Sequence, residues 1–261
     1  MMKKIFKAFA VAFSMYSKIP MPQFVWASED MKYHLIFFPF VGALIGALEC
    51  GWFYFCDLYE IPSLIASVVC VVIPFVVTGG FHFDGFMDVC DALHSYQDRE
   101  KKLQIMKDPH IGAFSVICAI VYVLIAVTGA DVIYEYAGSY KAVGVFCFTF
   151  AVSRIFSALS VITMKSAKTD GMLNTEKEES SKITVQEVLA IELIALVAFA
   201  LWMDIKATLV LTLSMGLSYL YYYKMSEKNF GGITGDLAGY FVCISELVSV
   251  LAFSVLFFVM A

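Results

Sequence analysis

Polar and apolar positions in this chain alternate over long distances. Apolar runs of about twenty residues, enough to cross a bilayer as an α-helix, are separated by short polar connections. The pattern predicts seven spans, at roughly 34–56, 61–80, 111–130, 137–163, 183–203, 206–223 and 237–260. The connection "WMDIKA" makes the fifth and sixth a tight helical hairpin. Ahead of the first, "MMKKIFKAFAVAFSMYSKIPMP" has the lysines and apolar stretch of a signal peptide. It lacks a clear small-x-small cleavage site and ends in Lys18 and two prolines. An amphipathic helix at the interface is predicted there, with Lys3, Lys4 and Lys7 among the headgroups. The expected fold class is all-α, a polytopic integral membrane bundle of about seven transmembrane helices plus that interfacial helix. Residues 1–261 then form a single membrane domain.

Composition agrees. The chain is 61% hydrophobic and 16% charged, with mean hydropathy +0.80, where soluble domains are about 45–50% apolar and 25% charged. The seven cysteines lie mostly inside apolar runs and form no Cys-x-x-Cys pair. That argues against a disulfide framework or a zinc site and for small buried hydrophobes.

The positive charges fix an expected orientation. Lys3, Lys4, Lys7, Lys18 and Lys32 precede the first span, and none lies between the first and second. Arg99, Lys101, Lys102 and Lys107 follow the second; Lys141 stands alone after the third. Lys165, Lys168, Lys177 and Lys182 follow the fourth, Lys206 alone the fifth, and Lys224 and Lys228 the sixth. Basic residues mark the cytoplasmic side, so the N-terminus is expected inside and the C-terminus outside. Three stretches then face the cytoplasm together, approximately 79–112, 164–182 and 224–239.

These stretches hold the unusual chemistry. Asp84, Asp88 and Asp91 are spaced i, i+4, i+7, one face of a helix. Three like charges on one stripe repel, and a divalent cation between them relieves the repulsion; Mg²⁺ takes such oxygen ligands and keeps room for substrate phosphates. The bland alternative is a solvated helix face. Asp108, in "KDPH", is either a further ligand or a turn-forming Asp-Pro. Arg99, Lys101, Lys102 and Lys107 either balance phosphate charge or set topology, with Lys107 the candidate for direct phosphate contact. Arg154 lies about ten residues, roughly 15 Å, inside its span. It must face the bundle interior and hold either a phosphate or a buried carboxylate such as Glu49 or Glu246. "NFGGITGDLAG" sets Asn229, Thr234 and Asp236 among glycines that permit close backbone approach, or else forms a flexible loop and a helix cap. His82, His94 and His110 are candidates for a general base, against the commoner structural histidine.

In this order the motifs resemble the cobalamin synthase family, the adenosylcobinamide-GDP ribazoletransferases. The matching pieces are "MYSKIPMP" (15–22), "FPFVGALIG" (38–46), "GGFHFDGFMDVCDAL" (79–93), "REKKLQIMKDPHIGAF" (99–114) and "GGITGDLAG" (231–239). The resemblance implies transfer of the adenosylcobinamide-phosphate moiety of adenosylcobinamide-GDP to α-ribazole or its 5′-phosphate, with Mg²⁺ as cofactor. GMP leaves, and adenosylcobalamin or its phosphate forms at the cytoplasmic membrane of the cell. It carries over His82, Asp84, Asp88 and Asp91 in the central motif, Lys107 and Asp108 in the next, and Thr234 and Asp236 in the last. With the residue readings above, the expected site is then Asp84, Asp88, Asp91, His82 and Lys107 for catalysis, Asp84, Asp88, Asp91 and Asp108 for the metal, and Arg154, Lys102, Lys168, Thr234, Asp236 and Asn229 for substrate. Two positions depart from the family pattern: Ala92 where many relatives have Gly, and Lys168 where many carry Arg. The expected partners are these small molecules and the bilayer, not nucleic acid; a homo-oligomer is left open.

Two rival readings differ in kind. A CDP-alcohol phosphotransferase also places aspartates at helical spacing, but its Asp-Gly-x-x-Ala-Arg pattern wants Ala where Asp88 stands. A transporter or channel predicts carboxylates near the midplane of several spans, and Glu49, Arg154 and Glu246 are its only hints.

Overall fold

The computed structural model describes residues 2–22, 24–25, 28–167, 177–178 and 180–261. Among them the chain is helical, with no strand and one isolated parallel bridge, Ser166 to Ile233. The helices are α1 (Met2–Tyr16), α2 (Ser28–Met31), α3 (His34–Leu58), α4 (Ser63–Thr78), α5 (Phe81–His94) and α6 (Arg99–Ile105). They continue as α7 (Ala113–Tyr136), α8 (Tyr140–Cys147), α9 (Thr149–Thr163), α10 (Lys182–Met203), α11 (Ile205–Phe230) and α12 (Gly235–Met260). Lys168 lies outside the described residues.

This is a polytopic membrane protein, with a span count that differs from the expected seven. Five segments are long and apolar enough to cross: α3, α7, α8 with α9, α10 and α12. The sixth is α4 with α5, if that bent pair counts as one span. Every predicted span is helical, the fourth as two consecutive helices, α8 and α9, but two fall short of the requirement for physical reasons. The 16 residues of α4 rise about 24 Å, against about 30 Å of hydrocarbon. α11 has 26 residues, but threonines, serines and the run "YYYKMSEK" dilute its apolar character.

The bundle has an apolar core interspersed with small polar residues and an apolar outer surface. Leu64, Val68, Val72 and Val76 of α4, Ile117, Ile120 and Leu124 of α7, and Leu209, Leu213 and Leu217 of α11 are all exposed. Bands of that size belong against lipid. Ser153, Ser157, Ser160, Ser214, Ser218, Ser245 and Ser249 are buried instead. Small side chains of this kind allow helices in a membrane to approach closely and bond across the gap; Ser214 Oγ lies 3.0 Å from Ser249 Oγ.

Glycines set the two crossings that carry the bundle. A Cβ on Gly42 would lie 2.0 Å from the Phe150 carbonyl oxygen, and one on Gly46 2.3 Å from that of Cys147, so α3 lies directly on α8 and α9. A Cβ on Gly85 would lie 2.8 Å from Asp236 Cα, and one on Gly239 3.0 Å from the His82 carbonyl oxygen, so α5 lies on the start of α12.

Candidate active site

The aspartate stripe does not continue the helix before it. Gly79 and Gly80 both take the left-handed conformation, with φ of 67° and 78°, which glycine adopts at no steric cost. They end α4, and α5 departs at 99° to it. Lys18 braces the corner: its backbone N–H donates to the Val77 carbonyl at 2.8 Å, and its side chain packs over Gly79. If α4 crosses the membrane, α5 lies close to its plane, and Asp84, Asp88 and Asp91 run along one end of the bundle.

The Gly85 crossing brings Asp236 to this stripe from α12. Asp84 is exposed, whereas Asp88 and Asp236 are partly buried. Burial pushes the Asp88 carboxyl up to about 7, assisted by the charges of Asp84, Asp236 and Asp91. Thr234 caps α12 by accepting the Leu237 N–H at 3.2 Å, and its hydroxyl reaches Asp236 Oδ2 at 3.5 Å.

Asp91 is differently employed. Its carboxylate accepts the Gly112 N–H at 2.7 Å, the Ser115 N–H at 2.9 Å and the Ser115 hydroxyl. It thus satisfies the otherwise unpaired donors at the start of α7 and ties α5 to that helix. Both Asp91 oxygens accept an N–H, so Asp91→Ala should lower stability by about 1–2 kcal/mol. Asp91→Asn, with one acceptor oxygen in place of two, should recover only part of that loss and leave the cation requirement nearly unchanged. Thermal unfolding in detergent and activity against Mg²⁺ concentration check this.

The other predicted residues separate into groups. Lys102 is buried and donates to Asn229 Oδ1 at 2.8 Å, while Asn229 Nδ2 donates to the Met225 carbonyl at 3.0 Å. The pair fastens α6 to α11. Arg99 folds over Gly231, whose φ of 68° ends α11. Ile233 and the segment from Lys165 to Ala167 exchange two backbone bonds of 2.8 Å. The three stretches expected to share one side therefore meet at one end of the bundle. Lys107 is exposed there. Asp108 is exposed and turned to its own loop, accepting from the His110 N–H at 3.0 Å and meeting the His110 imidazole at 2.6 Å. Those contacts hold its carboxyl below the usual range.

Arg154 takes the second of its two predicted alternatives. It is 1% exposed and pairs through Nη1 with Glu246, donating also to the Phe150 carbonyl at 2.7 Å and Ser153 Oγ at 3.1 Å. A guanidinium at that depth needs a compensating charge, and α12 supplies it; a direct substrate role is therefore not what its contacts express. His82 is buried, and neither ring nitrogen has a hydrogen-bond partner among the described residues. His94 bonds the Cys90 carbonyl at 2.8 Å and stacks on Phe114.

Among the described residues no three His, Cys, Asp or Glu side chains are grouped to hold a metal by protein ligands alone. Mg²⁺ takes oxygen ligands and commonly completes its shell with water and substrate phosphates. Asp84, Asp88 and Asp236 supply the appropriate oxygen donors. Asp236 was legible as a substrate-site candidate at a helix start, but its approach to the stripe was not; the Asp91 cap and the Lys102–Asn229 clamp had no distinct sequence signal.

Comparison with known proteins bears on this site. The model of the cobalamin-5-phosphate synthase family matches residues 8–254. A protein of Lachnoclostridium phytofermentans named adenosylcobinamide-GDP ribazoletransferase is 37% identical over 93% of this chain and 91% of its own length. A protein of the same name from Clostridium perfringens is 30% identical over 98% of this chain and 100% of its own, and one from Clostridium botulinum is 33% identical over 95% and 96%. No solved structure matches the chain.

Proposed function

The chain belongs to the cobalamin-5-phosphate synthase family, and from that premise we propose the specific reaction and the residues that carry it. It is an enzyme of cobalamin biosynthesis; the proposal concerns its substrates, metal and orientation. A hydroxyl of α-ribazole or its 5′-phosphate attacks the corrinoid-side phosphorus of adenosylcobinamide-GDP. The new P–O bond forms as the pyrophosphate P–O bond breaks. GMP leaves, and the hydroxyl proton passes to a base. The convergence of Asp84, Asp88 and Asp236 where α5 crosses α12, beside the basic residues around α6, carries this reading.

Phosphoryl transfer is mostly positioning and charge stabilisation. When bound, Mg²⁺ would neutralise the pyrophosphate and the departing GMP. The chain's own part is to hold Asp84, Asp88 and Asp236 on two helices locked by Gly85 and Gly239, so that little reorganisation accompanies the reaction. Lys107 and Arg99 lie at the same end to offset phosphate charge, with Arg99 fixed over Gly231. The lysine alternation supports a cytoplasmic site, where nucleotides are available.

A proton and a cation compete for Asp88. With its carboxyl pushed up to about 7, apparent Mg²⁺ affinity should rise about tenfold per pH unit below 7 and level off above. Activity measured against Mg²⁺ from pH 5.5 to 8.5 checks this; a pH-independent Mg²⁺ requirement would remove Asp88 from the cation site.

A further inference from the structure

A cavity of about 60 Å³ lies between α1, α3, α5, α9 and α12. Tyr16, Phe38, Phe81 and His82 line it, and Gly235, next to Asp236, reaches it from the helix start. The rings are in mutual contact: Tyr16 and Phe38 have centroids 4.2 Å apart, Phe38 and His82 5.5 Å, and Phe81 and His82 5.5 Å. Phe81 is 49% exposed and Gly235 is exposed, so the cavity is entered from the site's side of the bundle. Much of the remaining wall is Leu35, Ala158 and Val161.

Polar groups on this wall are few. Ser157 Oγ is directed to the Ala238 carbonyl at 3.4 Å. His82 lies between this cavity and a second one beside Arg154 and Glu246, and among the described residues neither of its ring nitrogens has a hydrogen-bond partner. A buried unpaired imidazole is costly unless something that enters the cavity bonds it. At 10–15 Å³ per water centre the space holds about four to six waters, roughly 120–180 Å³ of liquid, the volume of a bicyclic aromatic ring.

We propose that this aromatic cavity is the seat of the acceptor's heteroaromatic base, with His82 facing its one free ring nitrogen. The proposal rests on the phosphotransfer reading above and adds where the acceptor binds and why. Both substrates carry flat rings, and the wall chooses between them. Guanine has donors and acceptors around most of its edge, and burying them against Leu35, Ala158 and Val161 would leave several unpaired, each costly. The benzimidazole of α-ribazole is apolar except at one nitrogen, which suits an apolar box with one polar partner. Its ribose would then project through the Gly235 mouth toward Asp84, Asp88 and Asp236.

Two variants test the assignment. Ala158→Leu fills the cavity from α9, and Phe81→Ala removes a half-exposed ring with little risk to folding. α-Ribazole binding is followed by its benzimidazole fluorescence in detergent, adenosylcobinamide-GDP binding by corrin absorbance, and coupling by product formation. At least a tenfold rise in the α-ribazole Kd in both variants, with the donor Kd within twofold of wild type, is expected. An α-ribazole Kd unchanged in Phe81→Ala overturns the assignment, even where Ala158→Leu fails to fold. Loss of donor binding with acceptor binding intact gives the cavity to the donor and also overturns it. Coupling by the wild-type protein in either case leaves the phosphotransfer reading standing; a wild-type protein that neither binds α-ribazole nor couples it removes both.

Discussion

Asp88→Asn should abolish corrinoid coupling, by a hundredfold or more, without loss of stability. The two halves of this expectation come from one cause. Asp88 is half-buried beside three other carboxylates, and its carboxyl is raised from 3.8 to about 7. A carboxyl whose folded-state pKa lies above its unfolded value stabilises the fold below pH ~4 and loses that contribution as pH rises through ~7. At pH 8 and without a cation, the protein therefore carries a destabilising charge at this position. Asn removes the charge, so the thermal midpoint of Asp88→Asn at pH 8 in EDTA should equal or exceed that of wild type. A cation should raise the wild-type midpoint and have a smaller effect on the variant. A variant that keeps its turnover shows that Asp88 has no part in the reaction; one that loses both activity and stability marks it as a structural acid.

The largest stability effect should come from the other end of α12's polar face. Glu246→Ala leaves the Arg154 guanidinium buried without its carboxylate, and breaking a buried pair from one side costs about 3–5 kcal/mol. The bonds from Nη1 to the Phe150 carbonyl and Ser153 Oγ remain and place the loss toward the lower figure. Removing both charges is different: Arg154→Met with Glu246→Leu restores apolar packing and should recover most of the loss. Detergent unfolding of the three variants decides. If the double variant is as unstable as Glu246→Ala alone, the pair is not the source of the effect. If Glu246→Ala melts like wild type, the pairing does not hold Arg154.

Several of these features were visible in the bare sequence, for identifiable reasons. Membrane spans follow from long apolar runs, and helices occur at all seven predicted stretches. The i, i+4, i+7 spacing of the aspartates needs only helical periodicity, and α5 is a helix across all three. What periodicity cannot supply is the direction of a helix after a turn. Gly79 and Gly80 open the quoted motif without announcing a corner, and their left-handed φ values turn α5 by 99°. Nor does spacing reveal partners from distant sequence. Asp91 stands on the same stripe as Asp84 and Asp88, but Gly112 and Ser115 claim its oxygens. Arg154 announced that it needed a partner, and Glu246, 92 positions away, was one of two candidates. Lys102 looked like one more charge in a basic run until its ammonium was found buried on Asn229. The aromatic cavity joins residues from five helices and left no linear trace.

The proposed phosphotransfer at Asp84, Asp88 and Asp236 releases GMP, and product stoichiometry tests it. Purified protein in lipid is incubated with adenosylcobinamide-GDP and α-ribazole, and nucleotide and corrinoid products are quantified together. One GMP per adenosylcobalamin is expected with Mg²⁺ and none with excess EDTA. Release of GDP in place of GMP, or equal product formation with and without EDTA, would contradict the account.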